Sequence, residues 1–412
     1  MNRLAWESAG QALWDAGPGR DVGTVRTLFE TDRHVAGLLA EDGFDETLAG
    51  AVQWLQRSTE SSHEPGADWR TSVLAAVWEA HRIRRVAPDD RYVAHRAYPA
   101  PRGIFAADAV LEVEGPIGAR QVRFGPLGAG QPSPPGCPWV SAHLGFDVYP
   151  ARYPTPYGGL RTTLADLESG HLAATVALCA RRAGITTALQ RCTGSDAHAS
   201  FRLRFLPEGP SDPLLDKCVD TAAAGSASDL RTWLDRRSSG RSSENLVTSG
   251  PVTDEQAEAV HRALQAGLEL VGEHVPDGGI RLLAHGAEPG GLDTVRVVDL
   301  GASDSGRTLR SRPRMTSSRG ITFVVEPRLL AGLHGSETHR VVPFLLGWIA
   351  QWGCLAAAGI GIASRPARNH DEVEWADALG ADPNAVIGYQ LWLRTVPIEA
   401  QDVPWSTRGI RL

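Results

Sequence analysis

The chain has 412 residues, 42% hydrophobic and 22% charged, with a formal net charge of -7. Such a composition excludes a disordered chain and leaves room for two or three domains of ordinary size. A pI near 6.0 without any basic block argues against a nucleic-acid partner. The thirteen histidines lack metal-ligand spacing, so no metal site is expected. Cys137, Cys179, Cys192, Cys218 and Cys354 form an odd set with no C-x-x-C, which predicts reduced thiols in a cytoplasmic protein.

The first segment, 1–45, has no basic region followed by an apolar run, so no signal peptide is expected. Its "GTVRTLFETDRHVAGLLAEDGF" places apolar residues three and four apart and reads as a helical extension. "WLQRSTESS" follows from Trp54, and then the turn "AYPAPRG" with Pro99. Strands are expected at "AVLEVEG" and "RQVRFGP". Next comes the loop "ARYPTPYGG" and a long run of small apolar residues, read as a buried helix opening at Glu168, Gly170 and His171. In this position Glu168 suits a helix N-terminus, and His171 suits a structural hydrogen bond. "FRLRFLP" reads as a strand, and "EGPSDPLLDKCVDTAAAGSASD" as a linker rich in turn formers.

The same order then returns. "WLDRRSSGRSS" begins at Trp233, and a helix is expected from Thr253, with Gln256 at the capping-box position. The turn "HVPDGGI", strands "IRLLAHG" and "DTVRVVDL", a long apolar helix and the strand "YQLWLRTV" follow. Pro99 and Pro276 are 177 residues apart, as are Gly170 and Gly347, and Gly184 and Gly361; Trp54 and Trp233 are 179 apart. Several anchors in one order predict a duplicated unit. The expected organisation is a first copy over 46–205, a linker over 206–225 and a second copy over 226–412. The fold class is α+β, with long apolar helices at the seam between copies packed on mixed sheets. "VVPFLLGWIAQWGCLAAAGIGIA" is long enough to span a bilayer, but Gln351 and its small residues favour a core helix and no membrane.

This order of segments resembles the nitroreductase-like flavoproteins, and most closely the azoline dehydrogenases of the streptolysin and microcin type. The resemblance implies a tandem pseudo-dimer in one chain. It also implies FMN at the seam, held by an Arg-x-Ser-x-Arg motif matched here by Arg237, Ser239 and Arg241. The chemistry is apt, since guanidinium forks and hydroxyls bind phosphate through charge-assisted bonds. At the matching place the first copy keeps Arg57 but carries Glu60 and serines, and an added negative charge disfavours phosphate. One FMN per chain is therefore expected. Pro99 falls in the turn that supports the flavin from the opposite copy. Gly361 and Ile362 fall in the segment after the long helix where backbone nears the ring, and a helix C-cap is the equal alternative for Gly361.

"LESGH", Leu167 to His171, matches the dehydrogenases, and Tyr157 falls at the family tyrosine, preceded by Pro156 where relatives carry lysine. Arg152-Tyr153 is a second candidate. The resemblance implies Tyr153 or Tyr157 as the base, its pKa lowered by Arg152 or Arg161. The implied reaction is FMN-dependent oxidation of thiazoline or oxazoline rings in a modified precursor peptide, with a cyclodehydratase as a possible partner. A flavin-free peptide-binding scaffold is the alternative, and an NAD(P)H-dependent flavin or nitro reductase the third. The twelve tryptophans are expected chiefly in core packing.

Overall fold

The computed structural model describes most of residues 69–404. Outside the described residues lie 1–68, 405–412, the segments 87–93, 130–139, 193–197, 207–212, 224–229, 238–251, 288–293, 299–306, 311–318 and 396–402, and a few shorter stretches.

Helix α1 spans Trp69–His81 and is followed by the short strands β1 (Ile83–Val86) and β2 (Ala94–Arg96). The first large sheet comprises β3 (Ala107–Gly115), β4 (Gly118–Gly125), β5 (Gly128–Ala129), β6 (Ser141–Val148), β7 (Thr186–Arg191) and β8 (Phe201–Leu206), with helix α2 (Leu160–Arg182) between β6 and β7. Its strand order is β5-β4-β3-β6-β8-β7. Two helices, α3 (Pro213–Ala223) and α4 (Leu230–Arg236), lead to α5 (Asp254–Leu270).

The second sheet is built from β9 (Ile280–Ala287), β10 (Thr294–Val298), β11 (Arg307–Arg310), β12 (Gly320–Val325), β13 (Ala363–Ala367) and β14 (Val386–Arg394). Helices α6 (Pro327–His334) and α7 (Thr338–Gly359) lie between β12 and β13, and α8 (Glu372–Leu379) precedes β14. The order, β11-β10-β9-β12-β14-β13, repeats that of the first sheet strand for strand. Strand β15 (Val403–Pro404) returns to pair antiparallel with β1, which also pairs with β2.

Burial explains the local patterns. Along β8 buried residues alternate with exposed or half-buried ones, so one face of the first sheet meets the core. Strand β14 is buried at all nine positions because α8 covers the outer face of the second sheet. There Leu283, Val324, Trp375, Ile387 and Trp392 form a separate apolar cluster. Helix α5 starts as its residues dictate: Thr253 Oγ1 accepts from the Gln256 amide at 3.2 Å, and Gln256 Oε1 accepts from the Thr253 amide at 3.0 Å.

The long helices α2 and α7 cross at the centre, where side chains all round both are buried. The stretch long enough to cross a membrane is wholly enclosed by protein. A β-carbon at Gly170 would lie 2.7 Å from the Trp348 amide nitrogen and closer still to the Phe344 carbonyl oxygen. One at Gly347 would lie 2.9 Å from the Leu167 carbonyl carbon and closer to its oxygen. Shifting by 177 turns Gly170 into Gly347 and Leu167 into Phe344, so each crossing contact is the other with roles exchanged. Such reciprocity is the mark of a twofold-related interface.

Two expectations change. Helix α2 begins at Leu160, so Glu168 and His171 sit in its middle rather than on its first turn. The stretch expected as a linker contains α3, whose Leu215 and Cys218 are buried. Strands β6 and β12, central to their sheets, join the expected set: "SAHLGFDV" alternates and "GITFVV" is a continuous apolar run.

Candidate functional site

Glu168 is 1% exposed. Its carboxylate accepts from the Ala106 amide at 3.1 Å, the Ala107 amide at 3.0 Å and the Tyr153 hydroxyl at 2.9 Å. Two successive amides can point at one carboxylate because Phe105, just before them, has φ +53°, a left-handed conformation costing a non-glycine residue about 1–3 kcal/mol. The Phe105 ring is held under the Arg96 guanidinium, 4.1 Å from its centroid. Arg96 is buried too, and bonds His81 Nε2 at 3.0 Å and the Tyr98 hydroxyl at 2.6 Å.

One turn along α2, His171 ties the two halves together. Its Nδ1 meets Gln351 Oε1 of α7 at 3.0 Å, and its Nε2 meets the Tyr389 hydroxyl of β14 at 3.2 Å. Gln351 then donates to the Ala97 carbonyl at 2.9 Å, next to Tyr98 and Pro99. His171 is thus a structural hydrogen-bonder, as expected from its setting. Gln351 and Tyr389 were not foreseen; an amide and a phenol in apolar segments announce a buried polar contact but not its partner.

The predicted residues are placed as follows. Arg237 follows the last turn of α4, is 3% exposed, and its amide donates to the Trp233 carbonyl at 2.9 Å. Burial lowers the pKa of His171 and raises those of Cys354 and Tyr389; the Arg237 charge adds to the first shift and opposes the other two, which brings it to the same seam. Ser239 and Arg241 lie outside the described residues, as do Arg57 and Glu60. Pro99 is half-buried in the bend after β2. Gly361, with φ +77°, donates to the Ala358 carbonyl at 3.2 Å, while the buried Ile362 donates to Ala357 at 2.9 Å. Those two bonds make a Schellman cap, repeated by Gly184 and Ile185 at the end of α2, so the C-cap accounts for Gly361.

In the tyrosine loop, Tyr153 is 1% exposed, and burial together with Glu168 raises its pKa well above the ordinary value. A base needs the opposite shift, which corrects the expectation for Tyr153 acting alone. Nor does Arg152 serve Tyr153: its guanidinium pairs with Asp108 at 2.6 and 3.1 Å, donates to the Phe105 carbonyl at 3.0 Å and stacks on Tyr149. Arg161 is half-buried and donates to the Gly158 carbonyl at 3.3 Å, a contact within its own loop. Tyr157 remains half-buried, its ring edge-on to Tyr153 at 6.0 Å between centroids. A cavity of about 10 Å³ at the seam, lined by Thr163, Leu167, Pro343, Leu346, Arg368 and Gly388, has room for about one water.

Burial sets the titration. It pushes Glu168 up to about 7, opposed by its two amide bonds, and Asp166 up to about 7, opposed by Arg340. It pushes His171, His285 and His370 down to about 3, and lowers His81 well below the ordinary value with Arg96 assisting. The raised carboxyls stabilise the fold at low pH and lose that contribution as pH rises from their ordinary carboxylate range up to about 7, above which they add no further change. The depressed histidines stabilise it above about 6.5 and lose that contribution as pH falls, each at up to about 1.4 kcal/mol per pH unit. Melting temperature measured from pH 5 to 8.5 is therefore expected to rise from the acid side, where these histidines outnumber these carboxyls, and to level off above about pH 7. A steady rise from pH 7 to 5 would contradict this balance.

No protein-family model matches the chain, and no curated protein does. Among solved structures, a "putative nitroreductase" from Anabaena variabilis is similar at 13% identity and a TM-score of 0.55, over 82% of this chain and 91% of that one. One of the same description from Ralstonia eutropha covers 40% of this chain and 82% of its own, at 13% identity and a TM-score of 0.31. The first likeness, with the two sheets of equal strand order, gives this chain a nitroreductase-like α+β fold.

Proposed function

We propose that the protein is a flavin-dependent oxidoreductase, a tandem pseudo-dimer holding one FMN at the seam of its halves. The observation that carries this reading is the convergence there of Arg237 from the second half, the Ala97–Pro99 bend from the first, and the His171–Gln351–Tyr389 bonds between them. The donor set suits the cofactor: a buried guanidinium at the start of the Arg-Ser-Ser-Gly-Arg segment fits a phosphate or an anionic ring edge. Arg237, Ser239 and Arg241 would hold the phosphate, and the bound flavin would supply hydride-accepting chemistry. Tyr157 has the exposure that a group meeting a peptide needs, and it succeeds Tyr153 as the residue nearest substrate. The four described cysteines are free thiols, in keeping with a cytoplasmic setting.

The finer reading is oxidation of thiazoline or oxazoline rings in a modified peptide, beside a cyclodehydratase partner. It rests on the Leu167–His171 segment and the loop that carries Tyr157. A flavin-free peptide-binding protein is the second reading, favoured by the engagement of Arg152 with Asp108 and of Tyr153 with Glu168.

Purified protein is expected to show flavin absorbance and to release FMN on denaturation. Arg241→Ala is expected to abolish retention, whereas Arg57→Ala leaves it intact. A colourless protein that takes up no added FMN would sink the enzymatic reading, and equal loss from both variants would sink the single-site one. Steady NADPH consumption with a quinone acceptor would point to a reductase instead.

A further inference from the structure

We infer that Glu168 and Tyr153 form an internal proton-exchange pair serving Tyr157, an inference that deepens the flavoenzyme reading and rests on it. The protein contains its own control. Shifting by 177 places Leu345 where α2 has Glu168, and Leu330 where the loop has Tyr153. Both leucines are buried. The second half thus builds the same long helix, and covers the strand-to-helix passage over the same length through α6 where the first half has a loop, with two apolar side chains, so the long helix does not require a carboxylate there.

The turn before the sheet differs in the same sense. In the second half Gly278, at φ +72°, is followed by Gly279, whose amide closes the turn on the Pro276 carbonyl at 2.8 Å. The Glu326 amide donates to the Gly279 carbonyl, as the Tyr149 amide donates to that of Ala106, which aligns Ala106 with Gly279 and Phe105 with Gly278. In the first half Phe105 takes the strained position, and the Ala106 amide goes to Glu168 instead. Backbone strain and a desolvated carboxylate are both unfavourable, and features of that kind persist where function needs them.

The exchange balances simply. The phenol proton of Tyr153 moves to Oε2 of Glu168, making a carboxylic acid, as the Tyr153 oxygen takes up the phenol proton of Tyr157, which is left as the phenolate. The two amides hold the carboxylate in place throughout. The charged and titratable groups around Glu168 are Arg96 on β2, Tyr98, Tyr153 and, from β14, Tyr389. Arg96 favours the carboxylate while burial favours the acid, which leaves both forms accessible near neutral pH. Glu168 acts through Tyr153 and is a positioning residue in this scheme.

Infrared titration of the intact protein from pH 5 to 9 tests it without any cofactor. A carboxylic-acid stretch is expected to grow in as pH falls through neutrality, to vanish in Glu168→Gln and to change its midpoint in Tyr153→Phe. Absence of a band removed by Glu168→Gln overturns the pair. Should Glu168→Gln fail to fold, an unchanged midpoint in Tyr153→Phe overturns it equally. If flavin is retained, Tyr153→Phe is also expected to lower turnover about 100-fold and to remove one limb of the pH profile, in keeping with acid–base catalysis. A protein without flavin that still shows the titrating band defeats the enzymatic reading and leaves the pair standing.

Discussion

Gly170→Ala and Gly347→Ala are each expected to leave little folded protein. Alanine ordinarily gains about 0.5–1 kcal/mol over glycine inside a helix. Here the added methyl would meet backbone of the opposite helix, inside the 3.0 Å that real β-carbons keep. Backbone cannot rotate away as a side chain tip can, so α2 and α7 must part. Parting them disturbs the packing of Phe344, Leu167 and Trp348, all buried. A cost above about 3 kcal/mol follows, at the upper end of overpacking. The double variant is expected to cost less than the sum, because one separation relieves both clashes. Thermal unfolding and soluble yield measure this; a melting temperature unchanged in either single variant would mean that the crossing is looser than described.

Glu372→Ala is the second large effect. Arg368 donates to Glu372 at 2.5 Å and to the Ile387 carbonyl at 2.8 Å, with His370 Nε2 3.2 Å away. The Arg368 and Glu372 side chains are 5% and 0% exposed. Removing the carboxylate leaves a buried cation, which costs about 3–5 kcal/mol. Replacing both residues with apolar ones, as in Arg368→Met with Glu372→Leu, is expected to recover most of that loss. Helix α8 should detach first, so Trp375 fluorescence should shift toward that of exposed indole before global unfolding. Denaturant titration that finds Glu372→Ala within about 1 kcal/mol of the parent would show that the pair is better solvated than its burial indicates.

Much of the architecture could be read from spacing. The offset of 177 matched Gly170 to Gly347 and Gly184 to Gly361, and the structure puts each pair in equivalent positions. Strands β3, β4, β8, β9, β10 and β14 fall where apolar and β-branched runs placed them. Other features were hidden for physical reasons. "SAHLGFDV" alternates and "GITFVV" runs apolar, as strands do, but their central places in the sheets are set by distant neighbours and not by either pattern. Strands β1, β2 and β15 have only two to four residues, and the pairing of β1 with β15 joins positions more than 300 apart. The site was less legible still. Tyr153 and Tyr157 stand four apart in one loop, and only the tertiary fold turns the first inward onto Glu168. The left-handed Phe105 has no local signature, since glycine is what such a position ordinarily announces.

The reciprocal crossing has a consequence for how the molecule can change. In an assembly of two identical chains, one codon writes both sides of such a contact, and any replacement is made twice. Here Glu168 and Leu345 are written by separate codons. One helix is therefore free to accumulate chemistry that its counterpart never has to tolerate, while the glycines that let the two helices touch remain under a shared demand.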